Sequence, residues 1–163
     1  MNVRLPVELY SPDQLGIIML ELRTTIDTQR DAAVKAKVTN QAATGPKPHL
    51  SGLLTNTLIE SKIETTDMAS LEEMATQLRT IRDKAPVAHI ILTASPTPAL
   101  KAQLVRWFRT QINPYTLLSF ATREDIGGGL ILRAGSHIYD LSFRTQLKTN
   151  KTRIAEIYHG VQR

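Results

Sequence analysis

The residue pattern points to an α+β protein. It implies a small mixed sheet in strand-helix-strand-strand-strand-helix order, flanked by helices in the C-terminal half and preceded by a short helical region. Three observations carry this expectation. Short apolar runs bounded by turn residues recur between positions 87 and 139. Before position 86, apolar residues instead recur at steps of three and four behind capping signals. All the aromatic residues except Tyr10 lie after position 100, and large aromatics supply much of a core's buried area. The compact core is therefore expected in the second half, with little of its own in residues 1–49.

Ser11-Pro12-Asp13-Gln14 combines an N-cap serine, a proline at the first helical position and a capping-box glutamine. It predicts a helix with a stripe of Leu15, Met19, Leu22 and Ile26, fading through Gln29, Ala33 and Ala36 toward an end near Val38. A stripe that fades in this way needs a partner. Residues 39–49, with Gly45-Pro46-Lys47-Pro48, read as a linker, and residues 50–63 as a short helix. Ser70-Leu71-Glu72-Glu73 is a second capping box, opening a helix with Leu71, Met74, Leu78 and Ile81 on one side and Pro86 at its end.

Residues 87–93 are largely apolar, as in a buried strand. Thr97-Pro98 then caps a helix with Leu100, Leu104, Trp107, Phe108 and Gln111 along its inner face, and Asn113-Pro114 ends it. Residues 115–120 form the next strand, and the crossover length predicts a parallel, right-handed connection. Ala134-Gly135-Ser136 links two more strands as a hairpin. Asp140 and Ser142 both offer N-caps for a last helix carrying Phe143, Leu147, Ile154 and Ile157. The implied division is 1–49 (first helix and linker), 50–85 (helical connection) and 86–163 (α+β domain).

Composition narrows the function classes. Net charge is +5 over 163 residues, and without cysteine there are neither disulfides nor thiolate metal sites. The basic excess gathers at the C-terminus, where residues 141–163 carry five Lys and Arg against one Glu. The longest apolar run, residues 15–20, is far below the ~20 residues of a membrane helix, so a cytosolic setting without direct membrane insertion is expected. Gly127-Gly128-Gly129 runs into a strand rather than into a helix N-terminus, which favours a fold-determining role over a phosphate cradle. The four histidines are scattered without metal-ligand spacing, and Ser95, followed by proline, lacks a nucleophile elbow. No catalytic residue, metal or cofactor is expected. Trp107 and Phe108 between Arg106 and Arg109 keep a nucleic-acid module open as the alternative, against a core face with a basic rim.

The order and spacing of residues 87–147 bring several features together. Thr93-Ala94-Ser95-Pro96 ends a strand before a helix. Glu124 and Asp125 then precede Ile126-Gly127-Gly128-Gly129, an apolar strand, the Gly135 turn, a second strand and Asp140-Leu141-Ser142. This stretch resembles the C-terminal domain of the delta subunit of F-type ATP synthases, the oligomycin sensitivity conferring protein family. Leu141 stands where that family usually has glycine, and its six-helix N-terminal bundle faces only about three helices here. The resemblance implies a non-catalytic stator subunit on the cytoplasmic face of a bacterial plasma membrane, supporting proton-driven ATP synthesis. It further implies a b-type stalk helix as partner of the C-terminal domain and alpha subunits of the catalytic head as partners of the N-terminal region. The implied motif residues are Ile126, Gly127, Gly128, Gly129, Gly135, Asp140 and Ser142. Lys148, Lys151 and Arg153 are the candidate partner-binding residues, and residues 86–163 are expected to bind without residues 1–49.

Overall fold

The computed structural model describes residues 3–39 and 50–150. Helix α1 runs over Pro12–Thr39 and starts as its capping box predicts: the Ser11 hydroxyl accepts from the Gln14 N–H at 3.1 Å, and the Gln14 side-chain oxygen accepts from the Ser11 N–H at 3.1 Å. Leu15, Ile18, Leu22 and Ile26 are buried, with Met19 packed beside them. Past Ile26 the helix turns outward, leaving Val34 and Val38 exposed. Helix α2, Gly52–Ser61, is capped by Ser51 and ends where Lys62 takes a left-handed conformation.

Helix α3 covers Met68–Lys84 and corrects the expected capping box. Its N-cap is Asp67, whose carboxylate accepts from the N–H groups of Ala69 and Ser70 and from the Ser70 hydroxyl. A carboxylate accepts more strongly than a hydroxyl and gains from the positive end of the helix, so it displaces Ser70 from the capping role.

The larger hydrophobic core also departs from expectation, because it lies mostly before residue 86. It joins the inner stripes of α1, α2 and α3 to Val3, Leu5 and Leu9 of the N-terminal segment, with Leu117 inserted from the sheet. Three helices contributing fully buried Leu, Ile and Met side chains, each worth ~1.5–3 kcal/mol, assemble a core whose buried residues are all aliphatic, with Tyr115 packed at its margin.

The sheet has strand order β2-β1-β3-β4, with β1 at Val87–Leu92, β2 at Leu117–Thr122, β3 at Gly129–Ala134 and β4 at His137–Ser142. Strands β1 and β2 are parallel across helix α4, Pro98–Gln111, while β3 runs antiparallel to both β1 and β4. Strand β2 starts at Leu117 rather than Tyr115 because Asn113 holds a turn there, accepting from the N–H of Tyr115 and of Thr116. A short 3-10 turn at Glu124–Ile126, which periodicity does not reveal, separates β2 from β3.

Strand β1 is half-buried rather than buried on both sides. Ala88 and Ile90 face α4, where they pack with Val105, Phe108 and Leu118, whereas His89 on the other face is exposed. Helix α4 covers this face of the sheet together with Val7 and Tyr10 of the N-terminal segment, and it meets the strands through Leu104, Val105 and Phe108. The expected inner face of α4 is therefore rotated: Leu100 is 40% and Trp107 55% exposed.

The N-terminal segment lies against both cores. The Leu118 N–H donates to the Tyr10 carbonyl at 2.7 Å, and Val7 and Tyr10 pack on the sheet side. Arg109 of α4 donates to the carbonyls of Leu5, Pro6 and Leu9 at 2.7, 2.9 and 2.5 Å. Burial lowers the pKa of this guanidinium, opposed by the charges of Glu60 and Glu8.

Candidate partner-binding surface

The glycine triplet sits where the 3-10 turn passes into β3. Ile126 is buried beneath it, and Arg123 forms a two-pronged ion pair with Asp125, at 2.9 and 2.5 Å, that braces the turn. Gly127, Gly128 and Gly129 have φ of 69°, 127° and 78°, a region that side chains with a Cβ rarely enter. At Gly127 an added Cβ meets open space. At Gly128 it meets the Phe143 ring at 2.5 Å, and at Gly129 it runs into the Leu141 carbonyl oxygen and lies 3.1 Å from the Ser142 Cα. The Phe143 N–H also donates to the Gly128 carbonyl at 3.0 Å. The triplet therefore lies directly under the junction of β4 with the last helix.

That junction brings Asp140 and Ser142 together in different roles. Ser142 is the N-cap of α5, Phe143–Thr149, accepting from the Thr145 N–H at 3.3 Å. Asp140, still within β4, accepts from the Ser142 N–H at 2.9 Å and the Thr145 hydroxyl at 2.7 Å. Its hydrogen bonds with Ser142, followed by that from Thr145, hold the Asp140 carboxyl below its ordinary pKa. Gly135 occupies the β3–β4 turn with φ 59°.

Of the candidate partner-binding residues, Lys148 projects from α5 into solvent, while Lys151 and Arg153 lie outside the described residues. The structure adds apolar residues that the charge pattern does not signal. Edge strand β4 and α5 expose Ile138, Tyr139, Leu141, Phe143 and Leu147, each more than half exposed. Phe143 and Leu147, one helical turn apart, line a shallow hollow with Gln146 and Asn150. The available signal was the sequence of β4 itself, with apolar residues on both faces of a strand that has a neighbour on one side only.

The alternative platform is reorganised as well. Trp107 stands outside the core with its ring edge-on to Phe108, 5.0 Å between centroids, and Arg106 is exposed beside it. Arg109, its expected companion cation, is instead held by the N-terminal carbonyls.

A search of curated proteins finds no match for the chain. A family model does match: that of the ATP synthase delta (OSCP) subunit, over residues 22–154, which spans most of α1 and everything from α2 through α5. The chain thus belongs to the ATP synthase delta (OSCP) subunit family, whose members are structural subunits of the enzyme's peripheral stalk.

Proposed function

We propose that this chain is a non-catalytic connector between the catalytic head of an F-type ATP synthase and its membrane-anchored stalk, so that the stator resists rotor torque during proton-driven ATP synthesis. The observation that carries the reading is the run of exposed apolar residues on β4 and α5, within the span that matches the family. The C-terminal end of a b-type stalk helix, presenting apolar anchors at three- and four-residue spacing, suits such a surface. Lys148, Lys151 and Arg153 steer acidic residues toward its rim. The helical region contacts alpha subunits of the head. Among the described residues no helix is long and apolar enough to cross a membrane, consistent with attachment through the stalk at the cytoplasmic face of a bacterial membrane.

The motif residues Ile126, Gly127, Gly128, Gly129, Asp140 and Ser142 serve this role by shaping the β4–α5 junction, and Gly135 by turning β3 into β4, rather than by touching the partner. Calorimetric titration of the full-length chain with the C-terminal segment of a b-type stalk subunit tests the proposal. Saturable binding with a negative heat-capacity change, weakened by Leu147→Asp, is expected. A folded chain that shows no heat of binding overturns it. The full chain is the appropriate reagent because Val7 and Tyr10 pack against the sheet, so a fragment of residues 86–163 loses contacts at that face.

A second reading, binding of single-stranded nucleic acid, draws on exposed Trp107 beside Arg106. Steep loss of oligonucleotide affinity with salt, together with loss on Trp107→Ala, favours it over the connector.

A further inference from the structure

The two edges of the sheet differ. At β2 the N-terminal segment lies over the edge: the Leu118 N–H donates to the Tyr10 carbonyl, and the Tyr10 ring packs edge-on to Phe120 with 5.7 Å between centroids. At the other edge, among the described residues, β4 has β3 alone as neighbour. The Phe143 N–H donates to the Gly128 carbonyl, so positions 128 and 143 form a hydrogen-bonded pair, and such pairs alternate along an antiparallel ladder. His137, Tyr139 and Leu141 therefore turn their backbone groups toward β3, while Ile138 and Asp140 turn theirs outward. The Ser142 N–H, next in the outward row, is taken by the Asp140 carboxylate.

Edge strands are ordinarily guarded by proline, lysine, a bulge or a covering loop. The sequence of β4, His137-Ile138-Tyr139-Asp140-Leu141-Ser142, has neither proline nor lysine, and its register with β3 is unbroken, so no bulge bends it away. Its one carboxylate is drawn along the strand, accepting from the Ser142 N–H at 2.9 Å and the Thr145 hydroxyl at 2.7 Å. Ile138, Tyr139 and Leu141 are each more than half exposed. Such an edge is a template for another strand.

We infer that the free chain forms a symmetric dimer by antiparallel pairing of β4 with β4 of a second copy, joining the two sheets into one. Backbone phase and charge fix the register. Outward-facing residues must meet outward-facing residues, and two registers that satisfy this pair most of the strand. One sets Asp140 directly against Asp140 across the two-fold axis, where like charges oppose it. The other sets Ile138 against Asp140 of the second copy and Tyr139 against Tyr139 on the axis. In that register each His137, whose ring stacks on Tyr139 at 6.4 Å, comes opposite Leu141 of the second copy, so the pairing covers both Tyr139 and Leu141. A second copy meets the phase and charge pattern by symmetry, whereas a foreign strand has to match both. Tyr10 obstructs addition of β4 to β2 of a further copy, so the assembly closes at two. Strand β4 also belongs to the surface assigned above to a stalk helix, but self-pairing of the free chain does not rest on that assignment.

The test uses the full-length chain, which has no cysteine, so single introduced cysteines report proximity cleanly. In sedimentation equilibrium the parent should move from 18.2 kDa toward twice that mass as concentration rises. Ile138→Pro removes an outward N–H without breaking the β3 ladder and should hold the chain at the monomer mass. Ile138→Lys, which keeps the backbone donor and adds an edge charge, should do the same, and melting temperatures establish that each variant is folded. Under air oxidation Tyr139→Cys should form the disulfide-linked dimer about tenfold faster than Ile138→Cys or Leu141→Cys, because position 139 alone meets its own counterpart, with Cα atoms ~4.5 Å apart. Ile59→Cys, exposed on α2, is the remote control. A parent that stays monomeric at every concentration, a dimer that persists in the folded Ile138 variants, or cross-linking at Ile59, Ile138 or Leu141 as fast as at Tyr139 overturns the inference.

Discussion

Replacing Gly129 by alanine, with Gly127→Ala as the paired control, isolates the close approach under the β4–α5 junction. Both glycines have positive φ, 78° and 69°, so both substitutions carry the left-handed penalty of roughly 1–2 kcal/mol. At Gly127 nothing lies within reach of the new methyl group. At Gly129 the methyl runs into the Leu141 carbonyl and the Ser142 Cα, both backbone atoms of the paired strand. Relieving that clash means moving β4 against β3, and overpacking of this kind costs about 1–3 kcal/mol more. For a chain of this length each kcal/mol lowers the melting temperature by roughly 2–4 °C. Gly129→Ala should therefore melt about 2–12 °C below Gly127→Ala. Gly128→Ala belongs between them, because the ring it meets, Phe143, is half exposed and free to turn aside. Thermal scans of the three variants decide the matter, and equal melting temperatures for Gly127→Ala and Gly129→Ala would refute the assigned contact.

Arg109→Met removes the donor shared by three carbonyls of the N-terminal segment and should cost roughly 2–4 kcal/mol in urea titrations, with Arg109→Lys recovering part of the loss. Asp67→Ala should destabilise α3, and Ser70→Ala should do so by less, which chemical denaturation resolves. The lowered pKa of Asp140 in the folded state means its stabilising contribution is present above the unfolded carboxyl value, ~3.9, and is lost as pH falls through the folded value. Acid unfolding of Asp140→Asn should accordingly be less steep below about pH 4 than that of the parent. Joint replacement of Lys148, Lys151 and Arg153 by alanine should slow association with a stalk segment and change its salt dependence. Most of the affinity should remain, because exposed pairs are worth only ~0–1 kcal/mol each, and stopped-flow mixing at two ionic strengths checks it.

Local signals in the sequence located most elements because they are chemically self-contained. The Ser11–Gln14 box, the Thr97-Pro98 cap and the Gly135 turn each rest on contacts within a few residues. The weaker inferences required knowledge of neighbours. Ser70 fits a capping box with Glu73, yet the helix starts three residues earlier, where Asp67 accepts from the N–H groups of Ala69 and Ser70. Trp107 shares helical spacing with Leu100 and Leu104, yet the sheet meets α4 at Val105 and Phe108, a rotation that periodicity of α4 alone does not fix. The location of the larger core was missed because aromatic counts ignore how many aliphatic side chains three helices bury together. The exposed apolar run on β4 and α5 was hidden for the opposite reason, since apolar residues in a strand are ordinarily assigned to the interior.

The N-terminal segment bears on how a reduced helical region could serve a connector. Between α3 and β1 the chain crosses from helices to sheet through Ala85 and Pro86, a link that alone leaves the two parts free to pivot. Leu117 restricts that pivot by entering the helical core from β2, the strand whose Leu118 N–H donates to the Tyr10 carbonyl. Residues 3–10 restrict it further, with Val3, Leu5 and Leu9 anchored among the helices and Val7 and Tyr10 against the sheet. Arg109 then fixes the backbone between these anchors through three carbonyls. Side chains alternating between two cores, with the intervening backbone tied down, resist both separation and rotation, whereas a flexible tether resists neither. On the proposed connector role, load entering at β4 and α5 passes through β3 and β1 to β2, and from there through Leu117 and the strap into α1 and α3. Stiffness along that path depends on packed apolar contacts and on one buried guanidinium rather than on the number of helices upstream, so a three-helix region suffices for a rigid link.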